Sequence, residues 1–463
     1  MRRFLDIDLA TGEVATRQLE GAELARAGRY LIARMLNDEG VAKVDPLGPD
    51  NPLIFSAGPF AGTNFSNANR ISVGCKSPLT GGIKEANSGG TFATALGQLE
   101  IAGLALRGQA SAWRILHIGR DGVRFEDATP FLADGVFATA AALHAAYGDK
   151  ASLALIGPVA EYGGLMAGIC FTDVEGRPAR LAARGGVGAV MASKKIKAIV
   201  VDKHKMPPLN DLKAVMEDIR AYSRALAADR TIQAFSSTGT AMVADLTNHL
   251  GALPVNNFSA GSLTGKGETL RLGGDFIREQ NTSRGGKTSH ACMRGCKIKC
   301  SNVYVDAKGD ELVSPLEYET LGLMGSNCGL TDPDDVARVN WQANDLGVDT
   351  IELGAMIGVL MQAGIGAFGD VDFMHRVLDE IRAGSETGRL YAQGTARVGA
   401  HFKVARVPVI KGQAISAYDP RVIEVTGVSM MLTAQGADHT AGNLPGYKSA
   451  DKDIRTLVEK SLA

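Results

Sequence analysis

The sequence predicts an α+β protein with a β-rich N-terminal domain over residues 1–205 and largely helical domains over residues 206–463. In the first 200 residues, short apolar runs of strand length are followed by glycine, proline or aspartate. After a proline-containing boundary at residues 206–211, apolar residues recur at helical spacing instead. The 463 residues are enough for about three domains.

The individual elements follow from these two patterns. Strands are expected at residues 5–9, 53–56, 113–118, 152–156 and 197–201. Helices are expected at residues 212–228 behind an Asn/Asp cap, at 332–343 with Pro333 in the first turn, at 350–362 and at 373–381. No repeat with a period of 20–50 residues is visible, which argues against a solenoid.

Composition and charge exclude several classes of function. With 49 Lys+Arg against 50 Asp+Glu, the net charge of −1 gives no general attraction to nucleic acid or an anionic membrane. No apolar run reaches the length of a membrane span, and Asp6 and Asp8 fall where a signal peptide would be apolar. Six cysteines in so long a chain do not form a disulfide framework. We therefore expect a cytoplasmic protein.

Two glycine-rich segments stand out, one at residues 68–82 continued by 87–90, the other at residues 183–194. Each combines glycines with cations and small hydroxyl side chains. Glycine lets the backbone approach an anion, while backbone N–H groups and arginine hold phosphate oxygens. Neither segment has the spacing of a P-loop or of G-x-G-x-x-G. Tight turns in a β domain are one interpretation, but two such segments in one domain favour a large phosphorylated cofactor.

Three cysteines, Cys292, Cys296 and Cys300, are separated by three residues each. Thiolates are soft ligands, and three in a short segment are typical of iron–sulfur clusters or zinc. The same spacing would also place buried thiols on one face of a helix, although Gly295 disfavours that helix by about 1 kcal/mol. The basic neighbours Arg294, Lys297 and Lys299 would offset the negative charge of a cluster, which favours electron transfer over zinc.

Taken together, six segments resemble the aldehyde:ferredoxin oxidoreductase family of tungsten or molybdenum enzymes. They are residues 70–90, residues 184–194, the three cysteines, and residues 315–319, 344–349 and 436–439. The resemblance extends over residues 5–446. It implies an N-terminal β domain that forms a base for two pyranopterins, enclosed by two helical domains.

The resemblance also implies cofactors and the residues that bind them. The cofactors would be a tungsten or molybdenum bis-pyranopterin, one [4Fe–4S] cluster and Mg²⁺ bridging the pterin phosphates. The implied pterin and phosphate ligands are Arg70, Lys76, Asn87, Ser88, Gly89, Arg184, Gly185, Gly186, Asn344, Gly347, Val348 and Asp349, and the implied iron ligands are Cys292, Cys296 and Cys300. Glu317 is assigned the acid/base role and His439 that of proton donor or electrophilic partner, with Glu319 as the competing acid.

Three departures from the family pattern change what we expect. Relatives usually continue well beyond the 436–439 segment and include a fourth cluster cysteine, whereas this chain ends in a charged helical tail at residues 451–462. We therefore expect a separate subunit to complete the third domain and the cluster, with Cys328 as a less favoured fourth ligand. Asn344 stands where the family has an acid, and Ala441 where some relatives have lysine.

The predicted function is two-electron interconversion of an aldehyde and a carboxylate, or a related reduction. Electrons would leave through the cluster to ferredoxin or another redox subunit, in an oligomeric enzyme. Two alternatives stay open: a non-catalytic subunit that carries the cofactor, and a simple iron–sulfur electron-transfer subunit. The second alternative leaves both glycine-rich segments unexplained. The sequence does not distinguish tungsten from molybdenum or identify the substrate.

Overall fold

A computed structural model describes residues 1–443 and 455; the tail expected at 451–462 lies outside the described residues. The described chain forms two compact units. The first contains Met1–Ser236 together with His290–Cys300 and Asn344–Val348, and the second contains the rest of the described chain. The cysteine segment therefore belongs to the same unit as both glycine-rich segments, although it lies far from them in sequence.

Two six-stranded sheets make up most of the first unit and confirm the α+β class. The first sheet contains β1 Arg2–Asp8, β2 Val14–Leu19, β3 Leu53–Ala57, β4 Ile71–Lys76, β5 Ile83–Ser88 and β6 Ile101–Arg107, in the order β2-β1-β6-β3-β4-β5. The second contains β7 Arg114–Gly119, β8 Gly122–Asp127, β9 Ser152–Leu155, β10 Ile169–Phe171, β11 Arg180–Ala182 and β12 Ile196–Val201, in the order β11-β10-β9-β12-β7-β8. All five predicted strands are present.

The helices occur in both halves of the chain and dominate the second. Those before residue 205 are α1 Gly21–Ala25, α2 Arg29–Asp38, α3 Phe92–Gln98, α4 Val136–Tyr147, α5 Pro158–Glu161 and α6 Val187–Ser193. Those after it are α7 Leu212–Ala228, α8 Arg230–Thr238, α9 Met242–Leu250, α10 Gly274–Ser283, α11 Tyr318–Thr320, α12 Pro333–Leu346, α13 Thr350–Gln362, α14 Val371–Ala383, α15 Glu386–Tyr391, α16 Thr395–His401 and α17 Glu424–Leu432. All four predicted helices are present.

The smaller strands lie between these helices. A three-stranded sheet contains β13 Lys287–His290, β14 Ser301–Val305 and β15 Glu311–Val313, and a hairpin pairs β16 Val409–Ile410 with β17 Gln413–Ala414. The cysteine segment is therefore the connection between β13 and β14. None of the described helices has the length and apolar composition that crossing a bilayer requires.

One continuous apolar core joins the two large sheets. Phe92 of α3 is fully buried, with its ring centroid 5.9 Å from that of Phe55 and 5.3 Å from that of Phe171. Burial of a side chain of this size stabilises a fold by about 1.5–3 kcal/mol. This core fixes β4, β5 and β11, the strands that border the glycine-rich segments.

Helix α13 forms the buried centre of the second unit, with every residue from 351 to 361 buried. The Glu352 carboxylate on this helix is fully buried and accepts hydrogen bonds from the N–H groups of Thr395 (2.8 Å) and Ala414 (2.9 Å). A buried charge requires such partners to remain ionised. These bonds fix β17, and with it the adjoining residues 416–418 that contribute to the site described below.

Candidate functional site

The cysteine segment forms an irregular loop rather than a helix. Gly295 and Lys299 have left-handed backbone conformations, with φ values of 79° and 52°, which a helix does not accommodate. Helical spacing therefore does not explain these thiols, and the interpretation as buried helical cysteines is wrong. Cys296 is buried, and Cys292 and Cys300 are half-buried.

Residues 64–69 hold this loop in place. The Asn69 side-chain amide donates to the Arg294 carbonyl (3.2 Å), and the Lys297 N–H donates to the Ser66 hydroxyl (3.0 Å). At Gly295, a β-carbon would lie only 2.7 Å from the Asn64 carbonyl oxygen, so the close approach requires glycine. The loop is thus fixed by the residues that lead into the first glycine-rich segment.

Two of the thiols differ in acidity. A hydrogen bond from the Cys292 thiol lowers the pKa of Cys296 to about 6, helped by the backbone N–H groups of Lys299 and Ile298 and opposed by burial. The same hydrogen bond, together with burial, raises the pKa of Cys292. The hydrogen bond thus favours the thiolate form of Cys296, the form of cysteine that binds metals.

The first glycine-rich segment contacts the first of these cysteines directly. The Gly90 N–H donates to the Cys292 carbonyl (3.0 Å). A β-carbon added at Gly89 would lie 3.1 Å from Cys292 Sγ, tighter than most side chains tolerate. The absence of a side chain at residue 89 thus lets this strand end lie against the thiol. Ser88, immediately before it, is buried at the end of β5.

A polar ladder extends along β4 and β5 from this contact. Ser72 pairs with Asn87 across the two antiparallel strands, and the Asn87 amide donates to the Ser72 hydroxyl (3.2 Å) and to Glu85 (3.4 Å). The Asn87 amide oxygen accepts a hydrogen bond from Arg70 Nε. The Arg70 guanidinium favours the thiolate forms of Cys292 and Cys296, and so lies within electrostatic reach of both thiols.

The second glycine-rich segment forms a tight backbone turn ahead of α6. Gly185 and Gly186 have φ values of 80° and 76°, in the left-handed region. The Ser77 hydroxyl donates to the Gly185 carbonyl (2.8 Å), which joins the two glycine-rich segments. Arg184, just before this turn, is buried within the unit. The structure therefore brings Arg184, Gly185 and Gly186 beside the residues that follow β4.

We expect Gly186→Ala to destabilise the protein by about 1–3 kcal/mol, because an added β-carbon would meet the Leu165 carbonyl oxygen at 2.6 Å as well as adopt a left-handed conformation. Urea denaturation measures the effect. Gly81→Ala is the matched control, since Gly81 also has a left-handed φ (71°) but no atom within 4 Å of the added carbon. Equal losses for the two variants would show that the close contact at Gly186 is unimportant.

Lys76 has a different position from the other implied pterin ligands. Its Nζ donates to the carbonyl oxygens of Ala42 (2.7 Å) and Val44 (2.8 Å). The ammonium group thus stabilises the turn that follows α2. These two hydrogen bonds explain why a lysine stands at residue 76 without requiring a cofactor.

Residues 344–349 comprise the last turn of α12 and its connection to α13. Gly347 has a φ of 71° and its carbonyl accepts the Gly168 N–H (2.9 Å), while Val348 forms a β-bridge with Ala167. These contacts hold Gly347 and Val348 against the two residues that precede β10. Asn344 is buried in the first unit. Asp349 belongs to the second unit, where its carboxylate accepts the Ile351 N–H (3.0 Å) as the N-cap of α13.

The second unit contains a separate acid–imidazole pair. Glu319 Oε1 lies 3.4 Å from His439 Nδ1, and Glu319 Oε2 accepts the Ala417 N–H (2.9 Å). The Tyr418 ring centroid lies 5.8 Å from that of the imidazole. The structure therefore places the competing acid, Glu319, beside His439. Glu317 is the residue that precedes α11 and is its N-cap.

Cys328 lies in the second unit and is fully buried. Its Sγ is 3.3 Å from the carbonyl oxygens of both Leu323 and Gly354. Burial raises its pKa, so the group is a thiol that donates to these carbonyls. This environment is that of a structural cysteine.

Comparison with known proteins gives concordant matches over nearly the whole chain. The family model described as aldehyde ferredoxin oxidoreductase, N-terminal domain, matches residues 4–203, and the model described as aldehyde ferredoxin oxidoreductase, domains 2 & 3, matches residues 217–461. The tungsten-containing aldehyde ferredoxin oxidoreductase of Thermococcus kodakarensis is 30% identical in a match that covers 94% of this chain and 73% of that protein.

Two further proteins extend the comparison. The WOR-like subunit of an aliphatic sulfonate oxidoreductase from Pyrococcus furiosus is 25% identical in a match that covers 95% of this chain and 74% of that subunit. Among solved structures, the active site complex BamBC of benzoyl coenzyme A reductase, bound to 1,5-dienoyl-CoA, superposes with a TM-score of 0.74. At 22% identity, over 90% of this chain and 67% of that one, this match shows the fold alone.

The fold, the thiol loop and these matches together define an enzyme of the oxidoreductase class. The chain belongs to the aldehyde ferredoxin oxidoreductase family.

Proposed function

We propose that this enzyme interconverts aldehydes and carboxylates at a tungsten or molybdenum bis-pyranopterin and passes the electrons through a [4Fe–4S] cluster. The contact of Cys292 with Gly89 and Gly90 is the observation that carries this proposal. It joins the thiol loop and a glycine-rich segment in one site, as expected if an electron-transferring cluster lies next to a phosphorylated cofactor. The name of the Thermococcus relative, which specifies tungsten, aldehyde and ferredoxin, supports the same reading.

The residues present fit both groups. Cys292, Cys296 and Cys300 would bind iron, since thiolate is a soft ligand and Cys296 already has a lowered pKa. Arginine forks and exposed backbone N–H groups suit pterin and phosphate oxygens. The residues proposed to bind these groups, with Mg²⁺ between the phosphates, are Arg70, Asn87, Ser88, Gly89, Arg184, Gly185, Gly186, Asn344, Gly347, Val348 and Asp349. Lys76 is omitted because backbone carbonyls already engage its ammonium group.

The reaction also requires proton transfer. Oxidation of an aldehyde follows RCHO + H₂O → RCOO⁻ + 3 H⁺ + 2 e⁻, so protons must leave as the C–O bond forms. When bound, the metal supplies the two-electron chemistry that side chains do not provide. Glu319 and His439 would hold and move protons, because their facing atoms lie 3.4 Å apart and the Ala417 N–H fixes the carboxylate. We therefore favour Glu319 over Glu317 as the acid/base group.

The test is a combined analysis of anaerobically purified protein. Elemental analysis should find tungsten or molybdenum with iron and magnesium, and extraction should release a fluorescent pterin. An assay with a series of aldehydes should reduce a viologen dye. Protein with metal and pterin but no dye reduction would instead support a cofactor-carrying subunit or a different substrate, such as the sulfonate chemistry named for the Pyrococcus relative. Protein without metal or pterin would refute the proposal.

The electrons must also reach an acceptor. We propose ferredoxin or another small redox protein, as the name of the Thermococcus relative indicates. Ferredoxin added to the aldehyde assay should be reduced in place of the dye. Native mass spectrometry of the purified enzyme tests the further expectation of an oligomer, since association would add mass to that of one 463-residue chain.

A further inference from the structure

A polar network surrounds His290, which precedes Cys292 by two residues and ends β13. Its Nε2 lies 2.9 Å from Glu175 Oε2, and its Nδ1 lies 3.3 Å from Arg180 Nη2. Both His290 and Arg180 are about 95% buried, with exposed fractions of 6% and 5%. The residue that leads into the cysteine loop is thus held through both ring nitrogens, by Glu175 between β10 and β11 and by Arg180 at the start of β11.

The neighbours of the His290 imidazole determine which ring nitrogen donates a hydrogen bond and which accepts one. A guanidinium group has no acceptor, so Arg180 must donate and His290 Nδ1 must accept. The ring proton then lies on Nε2 and is donated to the Glu175 carboxylate. His290 therefore links one cation to one anion through its two ring nitrogens.

The carboxylates of this network already have cationic partners. Asp173, Glu175 and His290 place ligand atoms within 4.8 Å of one another, a spacing that a divalent metal ion could use. However, Arg177 Nη1 lies 3.1 Å from Glu175 Oε2 and 3.5 Å from Asp173 Oδ2. Arg180 Nη2 lies 3.8 Å from the same Asp173 oxygen. Two guanidinium groups balance two carboxylates, so the geometry favours an ion-pair network over a metal site.

The same network borders the thiol loop. Arg180 is buried and contacts His290, which lies two residues before Cys292. The Cys292 carbonyl is in turn held by the Gly90 N–H at 3.0 Å. The network thus reaches Cys292 through the backbone at His290.

We propose that Arg180 is a positioning residue for the iron–sulfur cluster. It fixes the start of the cysteine loop through His290 and places a buried positive charge beside that residue. This inference rests on the proposed function, because it requires a cluster at the three cysteines. Reduction adds negative charge to a cluster, and a nearby buried cation stabilises the reduced form. Arg180 would therefore raise the reduction potential of the cluster.

Three variants distinguish the effect of the Arg180 charge on the cluster from its effect on the position of the cysteine loop. Arg180→Gln removes the cation, Arg180→Lys retains it without the planar fork, and His290→Ala removes the link while leaving Arg180 in place. Arg124→Gln is the control for loss of an arginine charge, since Arg124 pairs with Glu126 on β8 and its side chain is 60% exposed. All variants are purified anaerobically, and thermal unfolding identifies any that fail to fold.

Two measurements are made on each variant. The first is an EPR-monitored redox titration of the reduced cluster, with iron content measured alongside. The second is hydrogen–deuterium exchange of residues 287–296 after chelation of iron. We expect Arg180→Gln to shift the midpoint potential to a more negative value and Arg180→Lys to shift it less. We expect Arg180→Gln and His290→Ala to speed exchange in this segment about tenfold, the effect of losing one hydrogen bond of a charged group.

The outcomes are distinguishable. If Arg180→Gln has wild-type iron content and an unchanged midpoint potential, the Arg180 charge does not raise the reduction potential of the cluster. Unchanged exchange in both Arg180→Gln and His290→Ala would overturn the positioning role. If the wild-type protein contains neither iron nor a cluster signal, the proposed function fails and the redox part fails with it. The exchange measurement still decides whether Arg180 orders the loop.

Discussion

Glu319→Gln is expected to lower kcat/KM for aldehyde oxidation by about 10²–10⁴-fold, the usual contribution of a positioned acid/base group. The glutamine side chain can still accept the Ala417 N–H bond through its amide oxygen, so the local structure should persist. It cannot take up a proton from the neighbouring His439, whose Nδ1 lies 3.4 Å from the native carboxylate. Viologen-coupled initial rates measure the loss, with metal and pterin contents required to match those of the wild type.

Glu317→Gln provides the matched control for this prediction. It makes the same chemical change two residues away, at the N-cap of α11. We expect its kcat/KM to stay within about threefold of wild type, because the carboxylate that faces His439 is that of Glu319 and the Glu317 side chain makes no cap hydrogen bond to α11. If Glu317→Gln inactivated the enzyme and Glu319→Gln did not, the acid/base role would belong to Glu317.

Most of the regular structure could be predicted from local sequence. Helix α7 has the predicted bounds, Leu212–Ala228, because the Asp211 carboxylate caps it by accepting the Ala214 N–H (2.9 Å). Helix α12 begins at Pro333, as the proline in its first turn predicts. Strands β4 and β5 were not among the predicted strands. One glycine, two lysines and one asparagine interrupt the alternation of apolar and polar residues in these strands, and β4 is buried by tertiary packing instead.

Only part of the site could be predicted from the sequence, because its long-range contacts also depend on tertiary packing. The cysteine spacing identified the thiol loop, since its ligands are local in the chain. The pairing of Glu319 with His439 joins residues that are far apart in sequence, and no local pattern indicates which of two neighbouring glutamates faces the imidazole. The Arg180–His290 contact spans 110 positions in the same way. Such pairs depend on the register and packing of whole elements, which a single sequence does not specify.

Cys296→Ser is expected to remove most of the bound iron and the EPR signal of the cluster, and with them electron transfer to viologen or ferredoxin. Serine retains the size and hydrogen-bonding capacity of the side chain, but its alkoxide is not accessible near neutral pH, whereas the pKa of Cys296 is lowered to about 6. The substitution therefore changes the ligand chemistry with little change in packing. Iron and sulfide analysis of anaerobically purified protein measures the loss, and thermal unfolding reports on the fold.

Cys328→Ser is the control for Cys296→Ser. It tests whether iron is lost only when a cysteine of the thiol loop is replaced. The Cys328 thiol is fully buried and lies 3.3 Å from two carbonyl oxygens, which a serine hydroxyl could also serve. Because its pKa is raised, it offers no thiolate for iron. Cys328→Ser should therefore retain wild-type iron and the cluster signal. Loss of iron in Cys328→Ser, with the fold intact, would identify Cys328 as a cluster ligand and overturn its assignment as a structural thiol.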